Sequence, residues 1–143
     1  MSYNTETKQV LVIRKDLKMT RGKEIAQGAH ASMATFFDMM RKQNGGQSID
    51  TQSGNKYHCE FEHSSKAMHE WMQNGFTKVT LQVDSEQALL EVYNKAKAAG
   101  LPCSLITDAG KTMFGGVPTK TTVGIGPATS SEIDKITGDL KLY

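Results

Sequence analysis

The sequence predicts an α/β protein of three layers, in which helices cover both faces of a mixed four-stranded sheet. Apolar runs of strand length are spread along the 143 residues, and segments of helical periodicity separate them. Strands joined through helices require crossover connections, so we expect a layered α/β/α arrangement. The length suits one compact core and no shift in composition marks a boundary, so we expect a single domain over residues 1–143.

The first strand and the first helix have clear patterns. The apolar run 9–14 (QVLVIR) is typical of a strand buried on both faces. A helical pattern follows from Thr20, the expected N-cap, to about Lys42. Small residues such as Gly28 and Ala31 would let this helix approach a sheet closely. Its larger apolar residues recur along one side and are expected to face the core: Ile25, Ala29, Met33, Phe36 and Met40.

The next segment is polar. Residues 44–65 begin with a run rich in Gly, Asn, Ser and Asp, and we interpret the segment as an exposed loop inserted in the domain. Cys59 has His58 and His63 nearby, which raises the hypothesis of a metal site. No second cluster follows at zinc-finger spacing, so we expect no metal here.

The second half of the chain alternates between strand and helix patterns. Strands are expected over 78–83, 103–107 and 121–126. Helices are expected over 64–75, from Glu86 to about Gly100, and near 130–136. Asp84 is the expected N-cap of the middle helix, and Gln87 would complete a capping box with it.

Charge is informative through its placement. The formal net charge of +2 does not by itself indicate a nucleic-acid partner. Basic residues nevertheless crowd the first third of the chain: Lys8, Arg14, Lys15, Lys18, Arg21, Lys23, Arg41 and Lys42. They form either a face for a polyanion or an ordinary solvated surface. No apolar run is long enough to span a bilayer and the polar start lacks a secretory signal, so we expect no membrane partner.

The stretch SLITDAGKT (104–112) raises the question of a nucleotide site, because Gly-Lys-Thr closes a phosphate-binding loop. Such a loop requires a second glycine five positions before Gly110, and Leu105 stands there. A helix must also begin after the loop, yet residues 113–118 (MFGGVP) do not favour a sustained helix. The sequence therefore excludes an NTPase of this type.

Asp108 directly follows the strand predicted over 103–107. Ligands of α/β sheets gather at the carboxyl ends of strands, so a carboxylate at this position is well placed for chemistry. The alternative is that Asp108 only opens a turn through its side chain.

Lys23, Gln27 and His30 form a second polar feature, on the first helix. At about 100° per residue, these side chains fall within about 60° of one another and border the expected apolar stripe. The alternative is an exposed polar stripe of the kind most surface helices have. Arg21 and Lys23 also put positive charge in the first turn, where the helix dipole prefers anions. A bound phosphate or a developing oxyanion would relieve this electrostatic repulsion.

Taken together, these segments resemble the type 2 peptidyl-tRNA hydrolases. Three of them carry the resemblance in order: VLVIRKDLKMTRGKEIAQGAHA (10–31), GLPCSLITDAGKT (100–112) and TTVGIGPATSSEIDKITGDLKL (121–142). The resemblance covers about residues 8–43 and 66–143. It implies a cytoplasmic homodimer, a mixed four-stranded sheet between helices, and hydrolysis of the ester between a peptide and the terminal ribose of tRNA. It implies no cofactor and no metal.

The resemblance also implies roles for particular residues. Carried over by motif, the catalytic positions fall on Lys23, Asp108 and Thr112. The substrate-binding positions are expected at Lys18, Arg21, Gln27, His30 and Lys111. Lys111 stands where arginine is common in the family, which keeps the charge and loses bidentate geometry.

A mechanism follows as a hypothesis. The sequence lacks the G-x-S-x-G signature of a serine nucleophile, so we expect direct attack by water. Asp108 would orient or deprotonate the water, Thr112 would help position it, and Lys23 would stabilise the oxyanion or hold the terminal phosphate. Two alternatives remain open, a non-catalytic RNA-binding module on the same fold and a hydrolase of another acylated RNA.

Overall fold

The structure is a computed structural model that describes residues 6–43 and 65–143. Its strands are β1 (Thr7–Arg14), β2 (Lys78–Val83), β3 (Cys103–Asp108) and β4 (Thr119–Thr129). Its helices are α1 (Arg21–Gln43), α2 (Lys66–Gln73), α3 (Glu86–Ala98) and α4 (Ser130–Thr137). The predicted order of elements is confirmed, and β4 extends beyond its predicted bounds at both ends. The metal hypothesis at Cys59 and most of the predicted 44–65 loop lie outside the described residues.

The four strands form one mixed sheet in the order β2-β1-β4-β3. β1 is parallel to β2 and antiparallel to β4, and β4 is antiparallel to β3. This confirms the predicted sheet and places β1 and β4 at its centre. In the part of the chain that the structure describes, β3 pairs with β4 alone and is therefore an edge strand.

One face of the sheet carries the apolar core, beneath α3 and α4. Alternate strand residues such as Val10, Val12 and Ile125 point to this face, as the two-residue period of a strand requires. Helix α3 covers them with Leu89, Val92 and Ala96, which recur at helical spacing, and α4 adds Ile133. These side chains are almost completely removed from water, so this face supplies most of the hydrophobic stabilisation.

The opposite face carries α1 and α2, and here the prediction for α1 was wrong. Ile25 and Met33 were expected in the core, yet 67% and 56% of their surfaces are exposed. Ala29 is exposed as well, and Phe36 and Met40 are only partly buried. The buried side of α1 instead presents Gln27, Gly28, Ala31 and Thr35 to the sheet.

The physical reason is a close approach between α1 and the sheet. A Cβ atom added at Gly124 of β4 would stand 2.8 Å from the carbonyl oxygen of Ala31 and 2.9 Å from Ser104 Oγ. Only small side chains fit between backbones at this distance. The expectation that small residues on α1 allow a close approach is confirmed, and it overrides the pattern of the larger apolar residues.

Hydrogen bonds join several polar side chains of this α1–sheet contact to partners. Ser104 Oγ donates to the Ala31 carbonyl oxygen at 2.7 Å, and Thr35 Oγ1 donates to Ser104 Oγ at 3.1 Å. Nearby, Ser32 Oγ donates to Gln9 Oε1 at 2.6 Å, while Gln9 Nε2 donates to the Gly126 carbonyl at 3.2 Å. Buried polar groups with partners avoid the desolvation penalty that unpaired ones incur, so a polar contact is tolerated here.

Helix α2 packs on the same side as α1 through an aromatic contact. The rings of Phe36 and Trp71 stack with centroids 5.8 Å apart. Trp71 Nε1 donates to the Thr77 carbonyl oxygen at 2.8 Å, which connects α2 to the segment leading into β2. As predicted, the helix is followed by a glycine with positive φ, Gly75.

The cap predicted for α3 was wrong by one residue. Ser85, not Asp84, is the N-cap, and its hydroxyl accepts from the Ala88 N–H at 3.0 Å. Gln87 donates to Glu91 at 3.3 Å instead of closing a capping box. Two adjacent residues of good capping type allow either start, and pattern alone does not distinguish them.

The last residues extend the sheet beyond β2 by one bridge. Leu142 pairs with Leu81 in antiparallel fashion, and the Tyr143 N–H donates to the Thr80 carbonyl at 3.0 Å. The Tyr143 phenol also donates to the Glu24 carboxylate, and this bond raises the pKa of Tyr143 to about 12. Over 6–43 and 65–143, no helix has the length and apolar character to cross a membrane.

The close approach at Gly124 yields a stability prediction. Gly124→Ala should lower the free energy of unfolding by about 1–3 kcal/mol, because α1 must move away from β4 to admit the methyl group. Urea unfolding followed by circular dichroism measures the change. Gly22→Ala is the matched control, since a Cβ there meets nothing within 4 Å, and it should be neutral or stabilising by up to about 1 kcal/mol. Equal effects of the two substitutions would contradict the proposed packing.

Candidate active site

The start of α1 and the end of β3 bring the principal candidate residues together. Thr20 begins the helix as predicted, because its Oγ1 accepts from the Lys23 N–H at 3.2 Å. Lys23 therefore lies in the first turn of α1. Asp108 is the last residue of β3, at the carboxyl end of that strand. The close contact between α1 and the sheet places these two residues side by side.

Lys23, Asp108 and Thr112 form one hydrogen-bonded cluster. Lys23 Nζ lies 2.8 Å from Asp108 Oδ1 in an ion pair and donates to Thr112 Oγ1 at 2.8 Å. The Lys23 and Asp108 side chains are 15% and 14% exposed, so the pair is largely shielded and still reachable from solvent. All three residues assigned catalytic roles from sequence thus meet at one place.

A buried amide supports the cluster from behind. Gln27 lies one turn after Lys23, is only 2% exposed, and donates from Nε2 to Asp108 Oδ1 at 3.3 Å. Its Oε1 accepts from the hydroxyl of Thr121, a completely buried residue of β4. Thr121 therefore determines which way the Gln27 amide points. The sequence analysis did not single out Thr121, although two threonines in an otherwise apolar strand are a signal of polar burial.

The turn after β3 holds the other oxygen of the carboxylate. Asp108 Oδ2 accepts from the Gly110 N–H at 2.9 Å, so the turn interpretation of Asp108 is confirmed. Gly110 has a φ of +80°, and a Cβ there would collide with the backbone of Val117. Over residues 113–118 the structure has a short 3-10 turn, Phe114–Gly116, in place of the α-helix that a phosphate-binding loop requires.

These contacts determine the ionisation of Asp108. The hydrogen bond from Lys23 is the main cause that lowers the pKa of Asp108 from the ordinary 3.8. Partial burial opposes this shift, while the Gly110 N–H and the charges of Lys23 and His30 add to it. The carboxylate is therefore ionised throughout the neutral range. Such a group orients and stabilises its neighbours well and is a weak proton acceptor.

The remaining predicted site residues differ in where they lie relative to this cluster. His30 contributes to the electrostatics of Asp108 from the next turns of α1. Lys18 and Lys111 are exposed, immediately before α1 and in the turn after Asp108. Arg21 lies elsewhere, about 160° around α1 from Lys23, and lines a depression with Tyr143. Among the described residues, no group of three or more His, Cys, Asp or Glu side chains is arranged to hold a metal.

The fold and this cluster define a class, an α/β protein with a charged, hydrogen-bonded polar site where a helix start meets a strand end. A carboxylate, an ammonium and a hydroxyl within hydrogen-bonding distance can orient a water and stabilise an oxyanion, as ester hydrolysis by water needs. The comparisons with known proteins agree with this class and are more specific.

The family model described as "Peptidyl-tRNA hydrolase PTH2" matches residues 7–143, and the chain belongs to this family. A peptidyl-tRNA hydrolase of Methanocaldococcus jannaschii is 43% identical, covering 94% of this chain and 98% of the relative. A peptidyl-tRNA hydrolase of Staphylothermus marinus is 37% identical, covering 99% of each chain. A relative from Bos taurus named "Peptidyl-tRNA hydrolase 2, mitochondrial" is 36% identical, covering 96% of this chain and 65% of the relative. The resemblance inferred from the motifs is thereby confirmed.

The lowered pKa of Asp108 yields a prediction on stability against pH. The ion pair stabilises the fold fully above pH 3.8, the ordinary pKa, and its contribution disappears as pH falls through the lower folded value. Asp108→Asn should therefore lower the free energy of unfolding at neutral pH and make progressively less difference below about pH 4. Urea unfolding at a series of pH values measures this.

Asp38→Asn is the control for this experiment. Asp38 pairs with Arg41 at 2.9 Å on the exposed side of α1, where both side chains are about half exposed. Exposed pairs contribute about 0–1 kcal/mol, so this substitution should make little difference at any pH. A pH-independent difference for Asp108→Asn would contradict the assigned ion pair.

Proposed function

We propose that this chain hydrolyses the ester bond between a peptide and the terminal ribose of tRNA, and that Lys23, Asp108 and Thr112 perform the reaction. The observation that supports these roles is the cluster itself, in which Lys23 Nζ lies 2.8 Å from both Asp108 Oδ1 and Thr112 Oγ1. Membership of the peptidyl-tRNA hydrolase family supplies the reaction and the substrate class.

The attacking water binds at Asp108. A carboxylate oxygen accepts about two hydrogen bonds, and Oδ1 already accepts from Lys23 and Gln27. Oδ2 accepts from the Gly110 N–H and has one acceptor position left among the described contacts. Water donating to Oδ2 is oriented with its lone pair away from the carboxylate. Because the pKa of Asp108 is lowered, its main role is to orient the water, and it holds the water's proton only transiently, until the proton passes to the leaving ribose oxygen as the ester bond breaks.

Lys23 stabilises the negative charge that develops on the ester carbonyl oxygen. Its ammonium has three N–H donors, and Asp108 and Thr112 occupy two of them. The third donor is available to the oxyanion, and the first turn of α1 adds the favourable end of the helix dipole. Asp108 and Thr112 hold the ammonium in place before substrate binds, so little reorganisation is needed during the reaction.

Thr112 and Gln27 position these groups. Thr112 Oγ1 accepts from Lys23, which leaves its hydroxyl hydrogen to bond the attacking water. Gln27 is held by Thr121 and limits the movement of Asp108, so we assign it a positioning role in place of the expected substrate contact, because its side chain is only 2% exposed. His30, beside Asp108 on the substrate side of α1, contacts the substrate near the ester.

Exposed basic residues bind the tRNA backbone in this proposal. Lys18 and Lys111 flank the cluster in sequence and are exposed, as phosphate ligands must be. Arg21 lies on the other side of α1 and would contact a different part of the tRNA. Family resemblance supports two further proposals, that the chain works as a homodimer and in the cytoplasm. Light scattering after size-exclusion chromatography and fractionation of cells test these two.

The first functional prediction concerns the cluster. Lys23→Met and Asp108→Asn should each reduce kcat for peptidyl-tRNA hydrolysis by about 10²–10³-fold, because each removes charge stabilisation made in the transition state. Thr112→Val should cost about ten-fold or more. Release of peptide from labelled peptidyl-tRNA measures these rates, and circular dichroism verifies folding.

Lys8→Ala is a matched control for the cluster variants. Lys8 Nζ lies 2.6 Å from Asp134 and forms a Lys–Asp ion pair with it. This pair lies near one end of β4, and Asp108 lies near the other end. Its removal should change the rate by less than about two-fold. Near-normal rates of both Lys23→Met and Asp108→Asn would overturn the assigned roles. A chain that binds peptidyl-tRNA and releases no peptide would be a binding module instead.

The second functional prediction concerns salt. Binding of tRNA should weaken as salt rises, and Lys18→Ala and Lys111→Ala should each reduce the slope of log K against log salt by about one. Lys135→Ala is the control, because this exposed lysine lies on α4, on the other face of the sheet. A salt response unchanged by either substitution would contradict the assigned backbone contacts.

A further inference from the structure

A groove runs along the outer side of β3, starting beside the Lys23–Asp108 pair. It encloses about 510 Å³, within the range of ligand-binding clefts. Its walls are the flank of α1 and the edge strand, represented by His30, Met33, Phe37, Leu105, Ile106 and Thr107. The proposed reaction uses only His30 from this set.

The chemistry of the groove differs from that of the tRNA contacts. None of the described side chains that line it belongs to Lys, Arg, Asp or Glu. Met33 is 56% exposed and Phe37 is 38% exposed, although both side chains are apolar. A surface of this kind offers little to a phosphate backbone and suits apolar side chains and peptide groups.

The backbone of β3 adds a second feature suited to a peptide. In the described chain β3 has a strand neighbour on one side only and is an edge strand. An extended peptide pairs with such an edge and places alternate side chains against the neighbouring surface. The three residues of β3 that line the groove, 105–107, span about 10 Å at about 3.3 Å per residue.

The two walls of the groove have matching lengths and a defined direction. Lys23 meets Asp108 at one end, and Thr35 meets Ser104 through a 3.1 Å hydrogen bond further along, so α1 is antiparallel to β3. From His30 to Phe37, the part of α1 that lines the groove, the helix rises about 10 Å at about 1.5 Å per residue. The two walls therefore match over the length of about three extended residues.

We propose that this groove, called the β3 groove below, receives the peptide portion of peptidyl-tRNA. The inference rests on the proposed function, because the ester must lie at the cluster for hydrolysis, and the peptide and the tRNA must leave the cluster in different directions. The exposed lysines Lys18 and Lys111 suit the tRNA, and the largely apolar β3 groove suits the peptide.

The direction of the peptide follows from its chemistry. Its carboxyl end carries the ester and lies at Asp108, which is the carboxyl end of β3. Its amino-terminal residues extend towards Phe37. The peptide therefore runs parallel to β3, and about three of its residues contact the β3 groove.

A pair of substrates and a pair of variants test this proposal. One substrate is tRNA carrying a single N-acetylated amino acid, which is too short to reach Met33, and the other is tRNA carrying an apolar hexapeptide. Met33→Glu introduces a charge into the β3 groove and should lower kcat/KM for the hexapeptide substrate about ten-fold or more, with under two-fold effect on the short substrate. Met72→Glu, which changes a similarly exposed methionine of α2 outside the β3 groove, should affect neither substrate.

A charge exchange makes the test specific. A hexapeptide with lysines in place of its apolar residues should recover most of the lost kcat/KM with Met33→Glu and should be a poorer substrate for the unaltered chain. Equal losses on the short and the long substrate, no loss on either, or no recovery with the lysine peptide would each overturn the assignment of the β3 groove.

Binding measurements separate this inference from the proposed reaction. Amide-linked analogues of the two substrates cannot be hydrolysed as esters, and their Kd values for the unaltered chain and for Met33→Glu are measured by titration. A Met33→Glu effect confined to the hexapeptide analogue supports the β3 groove, whatever the catalytic roles of Lys23 and Asp108. Absence of ester hydrolysis by the unaltered chain would overturn the proposed function itself.

Discussion

The close approach of α1 to the sheet at Gly124 is the constraint on which the rest of the site depends. Because Gly124 has no side chain, the backbone of Ala31 packs directly against the backbone of β4. This contact sets the distance between the start of α1 and the end of β3, and so allows the 2.8 Å contact of Lys23 with Asp108. A larger residue at this position would separate the groups that carry charge, although it would leave the apolar core under α3 and α4 intact.

A polar contact between helix and sheet has a consequence for precision. Apolar side chains pack by shape and tolerate some sliding, whereas Gln27 and Ser104 hold their partners through directed hydrogen bonds. Gln27 connects Thr121 in the middle of the sheet to Asp108 at its edge. The position of the carboxylate is thereby determined by three elements, α1, β3 and β4. Such support is what a preorganised electrostatic site requires.

Sequence patterns predicted the sheet, the order of elements and the three residues of the cluster, and they failed on the orientation of α1. Apolar runs of strand length and the residues that end helices are local signals, so they can be recognised without tertiary information. The side of α1 that is buried depends on which residues are small enough to fit against Gly124. Apolar periodicity does not identify that side, because small and polar residues face the sheet. Thr121 was missed for the same reason, since its role depends on Gln27 across the contact. The motif resemblance located Lys23 and Asp108 because it compares residues directly and needs no model of packing.

The burial of Gln27 also constrains how this protein changes over evolution. In most enzymes the residues that stabilise the fold and those that perform chemistry are largely separate, so stabilising substitutions accumulate without loss of activity. Here Gln27 and Thr121, in the interior of the α1 contact, hold the Asp108 carboxylate. Replacing Gln27 by an apolar residue would leave the Thr121 hydroxyl without this partner and would remove one of the three described hydrogen bonds that Asp108 accepts. Substitutions under α3 and α4, on the other face of the sheet, leave these contacts in place, so thermal tolerance is gained there with less effect on the site.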